Sequence, residues 1–307
     1  MTTSKNTATL LILDAHALIH RSFHAIPALN APDGRPVNAV FGFASTVLTV
    51  LDTFKPMYLA VAFDEPGPTF RDEVFSDYKA TRTATPDELK SQFPMVRELV
   101  ADLGIPLFAV PTFEADDLIG TLAKQAEAAN VDSIIVSGDH DLYQLITDHV
   151  SVYNVSRGLK AAELLDEIVF RSHYGFAPNL LPDYKALRGD TSDNIPGVAG
   201  IGPKTAKQLI ADFGGLDGIL AACEPDATAT INPKTKEKIC AHKDTAILSK
   251  QLATIVTDAP ITLTLKDCVV REYDVAKATA FFESLGFKSL LKRLPKSMPH
   301  SAQGSLF

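Results

Sequence analysis

Four short apolar runs, each stopped by Pro, Gly or Asp, set the rhythm of the first half of the chain: TLLILD at 9–14, YLAVAFD at 58–64, LFAV at 107–110 and SIIVS at 133–137. Runs this short, without polar alternation, read as strands buried on both faces. Between them Leu118, Ile119, Leu122, Ala123 and Ala126 recur three and four apart, which is the spacing of one helical face. Strand alternating with helix predicts an α/β fold, a mainly parallel central sheet with flanking helices, over residues 1–178. From about residue 179 the pattern turns helical, apart from a β-like ITLTL at 261–265, and a helical domain is expected over 179–295. The break falls near Phe176 to Asn179, and the stretch 296–307 reads as a flexible tail.

Composition narrows the class. With 307 residues, 46% hydrophobic and 21% charged, the chain can bury a large core in two coupled domains. It contains no run of eighteen apolar residues, and its N-terminal apolar run ends in Asp14 where a signal sequence would continue, so a soluble, cytoplasmic protein is expected. Cys223, Cys240 and Cys268 form no CxxC pair and leave an odd count, which predicts buried, reduced thiols and no disulfide or zinc framework.

The net charge of −8 is concentrated in a few acids. In open parallel sheets ligands bind beyond the carboxyl ends of the strands. There the chain places Asp14, Asp64, the group Glu114, Asp116 and Asp117, and the pair Asp139 and Asp141, while RGDTSDN adds Asp190 and Asp193. Removing these nine from the 37 acids leaves 28 against 29 bases, so the rest of the surface is near neutral. Each acid has an ordinary explanation as a helix N-cap, a first-turn charge or a turn former. Together they would repel one another without a cation. Oxygen donors without nearby Cys or His suit Mg²⁺ or Mn²⁺, two or more of which serve phosphodiester hydrolysis. His16, His20 and His24, four apart, lack an HExxH arrangement and read as a polar helix face.

Two further segments point to nucleic acid. In GVAGIGPKTAKQLIADFGG, Gly200 and Gly202 make a tight hairpin before a helix opened by Pro203, with Lys204, Thr205 and Lys207 beside it. Such a turn aims backbone N–H groups at a phosphate without reading sequence. After Asp64, the stretch PTFRDEVFSDYKATR interleaves bases and aromatics. On a helix Arg71, Phe75, Tyr78, Lys79 and Arg82 would share one face, which periodicity allows equally to grip a single strand or to be an ordinary amphipathic face with solvated charges.

With LLILDAHALIHRSFHA, VAFDEPGPTFRDEVFSDYKATR, FEADDLIGTLA, VSGDHDLYQLI and ALRGDTSDNIPGVAGIGPKTAKQL in that order, nearly the whole chain resembles the 5′-nuclease domain at the front of bacterial DNA polymerase I, within the flap endonuclease family. The resemblance implies a PIN-like nuclease domain with a helical arch about residues 66–100, and a helix-hairpin-helix motif in the second domain. It implies one metal site of Asp64, Glu114, Asp116 and Asp139 and a second of Asp141, Asp190 and Asp193, with Asp14 and Asp117 completing the network. Asp116 and Asp139 would be essential to catalysis, with Lys79 and Arg82 as electrostatic activators. Arg21, Arg71 and Tyr78 would contact DNA, and a K⁺ would sit at the hairpin.

The implied substrates are DNA with 5′ flaps, nicks or RNA primers, cut during replication and repair by a monomeric, nucleoid-associated enzyme. His20 stands where relatives often carry Tyr, and His140 where many carry Lys. A free-standing nuclease is expected, since QGSLF at Gln303 to Phe307 resembles a peptide that docks on the β sliding clamp. A non-catalytic DNA-structure-binding module and an RNA-processing nuclease are the competing readings.

Overall fold

A computed structural model describes residues 8–225, 227, 231–270 and 275–294. The expected tail and the Gln303–Phe307 peptide lie outside the described residues. A six-stranded sheet runs in the order β3-β2-β1-β4-β5-β6, built from β1 (Thr9–Asp14), β2 (Tyr58–Ala62), β3 (Leu107–Phe108), β4 (Asp132–Ser137), β5 (Val150–Asn154) and β6 (Glu163–Leu165). All pairings are parallel except β5 with β6. The chain leaves β1 for β2 on one side and later lays β4 on its other side, so the strand order reverses at β1. Crevices form at such switch points.

The side-chain period of two divides β1 between the two faces of the sheet. Leu10 and Ile12 join one core, packed under helix Ala115–Ala128, and Leu11 and Leu13 join the other, packed under helices Asn38–Phe54 and Phe93–Asp102. The first core runs without interruption into Leu187, Leu209, Ile219 and Ile239 of the later helices. The second takes in Phe281, Phe282 and Phe287 near the C-terminus. Among the described residues no helix is long and apolar enough to cross a membrane.

The β-like run 261–265 is not a strand: 261–264 is irregular and a short helix begins at Leu265. Its backbone is satisfied by a side chain, because Gln125 Nε2 donates to the Ile261 carbonyl at 2.9 Å and Gln125 Oε1 accepts from Leu263 N at 2.7 Å. The expected helical arch differs as well. Helix Phe70–Val74 stops after five residues, turns follow, and only Asp87–Lys90 and Phe93–Asp102 are helical beyond. Phe75 is extended and Lys79 is left-handed (φ 56°), which breaks the single face that the spacing had suggested.

Helices Leu181–Arg188 and Pro203–Phe213 flank the hairpin. Gly197, with φ 64°, lies against the backbone of Gly189, where any Cβ would collide. The hairpin can form only with glycine there.

Candidate active site

Strand termini deliver the acids. Asp14 ends β1 and caps helix Ala15–Ala25: Oδ1 accepts from Ala17 N at 3.0 Å and Oδ2 from the Ser137 hydroxyl at 2.5 Å. Asp64 follows β2, and its Oδ1 accepts from Ala115 N at 2.6 Å. Glu114 caps helix Ala115–Ala128 and brings Asp116 into its first turn. Asp139 follows β4, where its Oδ1 accepts from Asp141 N at 2.8 Å. The same Ser137 hydroxyl that binds Asp14 accepts from Asp139 N at 2.9 Å, tying the ends of β1 and β4 together. Asp190 and Asp193 arrive on the loop before the hairpin.

These carboxylates interact through space. Burial, then repulsion from Asp139, Asp14 and Glu114, holds the Asp116 carboxyl well above the ordinary range, with Lys79 opposing. No hydrogen bond or ion pair to Asp116 occurs among the described residues. Burial also pushes Asp14 up to about 7, despite its two hydrogen bonds.

Cations counter the remaining acids. Lys79 Nζ is 2.6 Å from Glu114 Oε1 and Arg82 Nη2 is 2.6 Å from Asp193 Oδ1. Lys185, on helix Leu181–Arg188 and only 7% exposed, bonds both Asp141 and Asp190. Burial pushes both carboxyls up. Against it Lys185, with Ser192, holds Asp190 at about 2, while Asp141 stays raised to about 6. Asp139, Asp141, Lys185 and Asp190 line a cleft of about 360 Å³ that also takes in His140 and Arg188.

Four expected residues are placed otherwise. Asp117 is fully buried and makes a two-pronged ion pair with Arg71, at 2.8 Å on each arm. Its Oδ2 accepts from Glu114 N and its Oδ1 from Val256 N, so both oxygens are committed within the fold. Arg71, 2% exposed, also donates to the carbonyls of Leu252 and Thr254. It ties the end of helix Lys243–Ala253 to helix Ala115–Ala128 and is closed to solvent. Tyr78, 5% exposed, points its hydroxyl at Glu114 (3.3 Å) and Asp193 (3.4 Å) and offers no open stacking face. Phe75 packs in a small cluster with Tyr78, Ile195, Leu252 and Ala253.

At the hairpin, Gly200, Gly202 and Lys204 are exposed and Thr205 is half-buried. Lys207 is turned toward the His173 carbonyl (3.5 Å) and the Tyr174 ring. Arg21 is half-buried, with Nε lacking a partner among the described residues.

The pattern of the sequence did not reveal Lys185, Ser137 or the role of His16. His16 Nδ1 accepts from Asp64 N at 3.1 Å, and the ring packs on Phe93 at 4.6 Å between centroids. It is therefore half inside, whereas His24 of the same helix is exposed. The usable signals were a lysine five residues before Asp190, a serine closing a buried strand, and a histidine two residues after a strand-end aspartate. The cysteines also differ from expectation, since only Cys268 is buried, Cys223 is half-buried and Cys240 is exposed.

Among the described residues no three His, Cys, Asp or Glu side chains converge closely enough to hold an ion as they stand. The donor set nevertheless fits a hard divalent cation. Asp14 and Asp139 bring oxygen donors to the neighbouring ends of β1 and β4, Asp116 adds one from the first turn of helix Ala115–Ala128, and burial together with mutual repulsion holds Asp14 and Asp116 above their ordinary range. Asp117 does not belong to that set.

Residues 9–175 match the model of the 5′-3′ exonuclease N-terminal resolvase-like domain, and residues 176–276 that of the 5′-3′ exonuclease C-terminal SAM fold. The chain belongs to the 5′-3′ exonuclease family of metal-dependent nucleases. It is 43% identical over 295 residues to DNA polymerase I of Chloroflexus aurantiacus, covering 93% of this chain and 31% of that protein. With DNA polymerase I of Bacillus caldotenax the figures are 40% over 285 residues, 93% and 32%. The chain thus spans about a third of the length of these relatives. Solved structures with the same fold include the T5 5′-exonuclease with bound zinc (TM-score 0.64, 21% identity, 94% of this chain and 100% of that one). The catalytic core of Rad2 in complex with DNA substrate also shares it (TM-score 0.58, 16% identity, 94% and 92%).

Proposed function

We propose that the chain is a structure-specific 5′-nuclease that hydrolyses DNA phosphodiesters at 5′ flaps, nicks and RNA-primed ends. Its place would be primer removal and repair, in the cytoplasm at the nucleoid. Of the structural neighbours, one carries zinc and another DNA substrate, and here the corresponding cofactor is two or more Mg²⁺ or Mn²⁺ ions. Asp14, Asp64, Glu114, Asp116 and Asp139 would hold one ion and Asp141, Asp190 and Asp193 a second. When bound, such ions supply Lewis acidity and an activated water at neutral pH.

The protein's own side chains do the rest. Lys79 and Arg82 rest on Glu114 and Asp193 and can exchange these partners for the scissile phosphate, stabilising the charge that builds on its oxygens. Tyr78 holds Glu114 and Asp193 in mutual register. The Gly200–Gly202 hairpin and Lys204 grip the duplex through its backbone, where a K⁺ can share the carbonyls, and Arg21 contacts the strand from helix Ala15–Ala25.

The observation that carries this reading is Asp116, a carboxylate without a partner set among acids at strand ends. Asp116→Ala or Asp139→Ala should abolish cleavage of a labelled 5′-flap duplex in Mg²⁺ while leaving its binding in EDTA largely intact. Undiminished cleavage by both variants sinks the proposal.

A further inference from the structure

We propose that Cys223 and Cys240 form a thiol–disulfide site that responds to oxidants and stiffens the DNA-facing hairpin. Cys223 is the half-buried C-cap of helix Leu216–Ala222, and Cys240 sits exposed in the last turn of helix Pro233–Ala241. Polar ties hold these two helix ends together. Lys236 Nζ donates to the Glu224 carbonyl at 3.2 Å, and Lys243 Nζ lies 3.7 Å from the Glu224 carboxylate. Cys240 lies between Lys236, one turn before it on the same helix, and Lys243, and Cys223 immediately precedes Glu224, so the two thiols come together at this seam.

The two sulfurs have different chemistry. Burial, with Cys240 beside it, pushes the Cys223 thiol up to about 11, so it keeps its proton. Cys240 is the accessible sulfur, in a stretch with Lys236, Lys238, His242 and Lys243. Its exposure makes it the sulfur that an oxidant reaches first. With a peroxide as oxidant, the Cys240 thiolate attacks one oxygen and the O–O bond breaks, giving a sulfenic acid and hydroxide. Cys223 then gives up its proton and attacks the Cys240 sulfur. The S–O bond breaks, and its oxygen leaves as water with that proton. Two thiols and one hydrogen peroxide thus yield one disulfide and two waters. Cys268, 1% exposed in the core beside the sheet, takes no part.

The link reaches the hairpin through Lys238, two residues before Cys240. Its Nζ donates to the Gly200 carbonyl at 3.0 Å, and its stem packs on the same glycine. Helix Leu216–Ala222, which Cys223 closes, packs on helix Pro203–Phe213, which begins where the hairpin ends. Joining the two sulfurs therefore ties both supports of the turn into one body.

The test uses the full chain, metal-free and without DNA, treated with hydrogen peroxide and then alkylated. Thiols open to alkylation after unfolding should fall from three to one, with recovery in dithiothreitol and a cross-linked peptide pair containing Cys223 and Cys240. Cys268→Ser should behave in the same way with two thiols falling to none, whereas Cys223→Ser and Cys240→Ser should form no internal link. Amide hydrogen exchange at 198–202 should slow several-fold on oxidation. Three thiols still open, or a link that involves Cys268 or a second chain, overturns the site. An internal link with unchanged exchange at 198–202 overturns its coupling to the hairpin.

Discussion

Replacing Asp14 by Asn should remove a pH-dependent penalty on the metal-free protein. The Asp14 carboxyl, 3% exposed, is pushed from 3.8 to about 7 by burial first and then by Asp139 and Asp64, against the hydrogen bonds from Ser137 and Ala17. The folded state therefore keeps a proton there that the unfolded chain releases near 3.8. The stabilisation from that proton is complete below 3.8 and is lost as pH rises through about 7. At 1.36 kcal/mol per unit the full swing is about 4 kcal/mol, of which about 2–3 kcal/mol falls between pH 5 and pH 8. Asp116 and Asp141 act in the same direction. His16, His20 and His140, held below 6.5 mainly by burial, act in the opposite one, so the informative quantity is the difference between variant and wild type. Urea unfolding in EDTA should show the Asn variant gaining about 2–3 kcal/mol on the wild type from pH 5 to pH 8. Saturating Mn²⁺ should stabilise the wild type most at high pH, where its ligands are deprotonated, and erase much of that gain. A difference that stays constant across this range would refute the reasoning.

Arg71→Met should destabilise the fold by about 3–5 kcal/mol in urea, because it strands the fully buried Asp117. Flap affinity of the folded protein should stay near wild type, and a large loss of affinity without loss of stability would return Arg71 to the DNA surface. Gly197→Ala forces a Cβ into the Gly189 backbone at φ 64° and should cost at least about 1–3 kcal/mol by the same assay, with weaker duplex binding in EDTA. Wild-type behaviour in both would mean that the hairpin tolerates a side chain there. Lys185→Met frees Asp141 and Asp190 from their shared ammonium. The metal-free Tm should fall and the rise in Tm on adding Mn²⁺ should exceed that of the wild type, whereas an equal rise would show that Lys185 does not compete for these carboxylates.

What could be read from the chain, and what could not, divides by the range of the interaction. Strand ends were legible because a fully buried strand needs an unbroken apolar run, and a carboxylate can enter only where that run stops. The ends of β1, β2 and β4 follow this rule at Asp14, Asp64 and Asp139. Pairings across the fold were not legible. Nothing near Asp117 marks it as the partner of Arg71, 46 residues away, so it read as one more acid at a helix start. Likewise ITLTL has strand propensity, but Gln125 from a distant helix takes its backbone bonds before another strand can. The segment 71–82 has helical spacing, yet pairing of Lys79 with Glu114 and of Arg82 with Asp193 holds it in a tight non-helical turn against the acids. The ordinary and the functional explanations of the acids also prove to be one geometry at Asp14 and Asp190. Asp14 spends one oxygen on its helix cap, and Asp190 spends one on its Ser192 turn, which fixes the second oxygen toward Ser137 in the first case and toward Lys185 in the second. A cap or turn former at a strand end is therefore a device for aiming a carboxylate, and a sequence shows the cap more readily than the target.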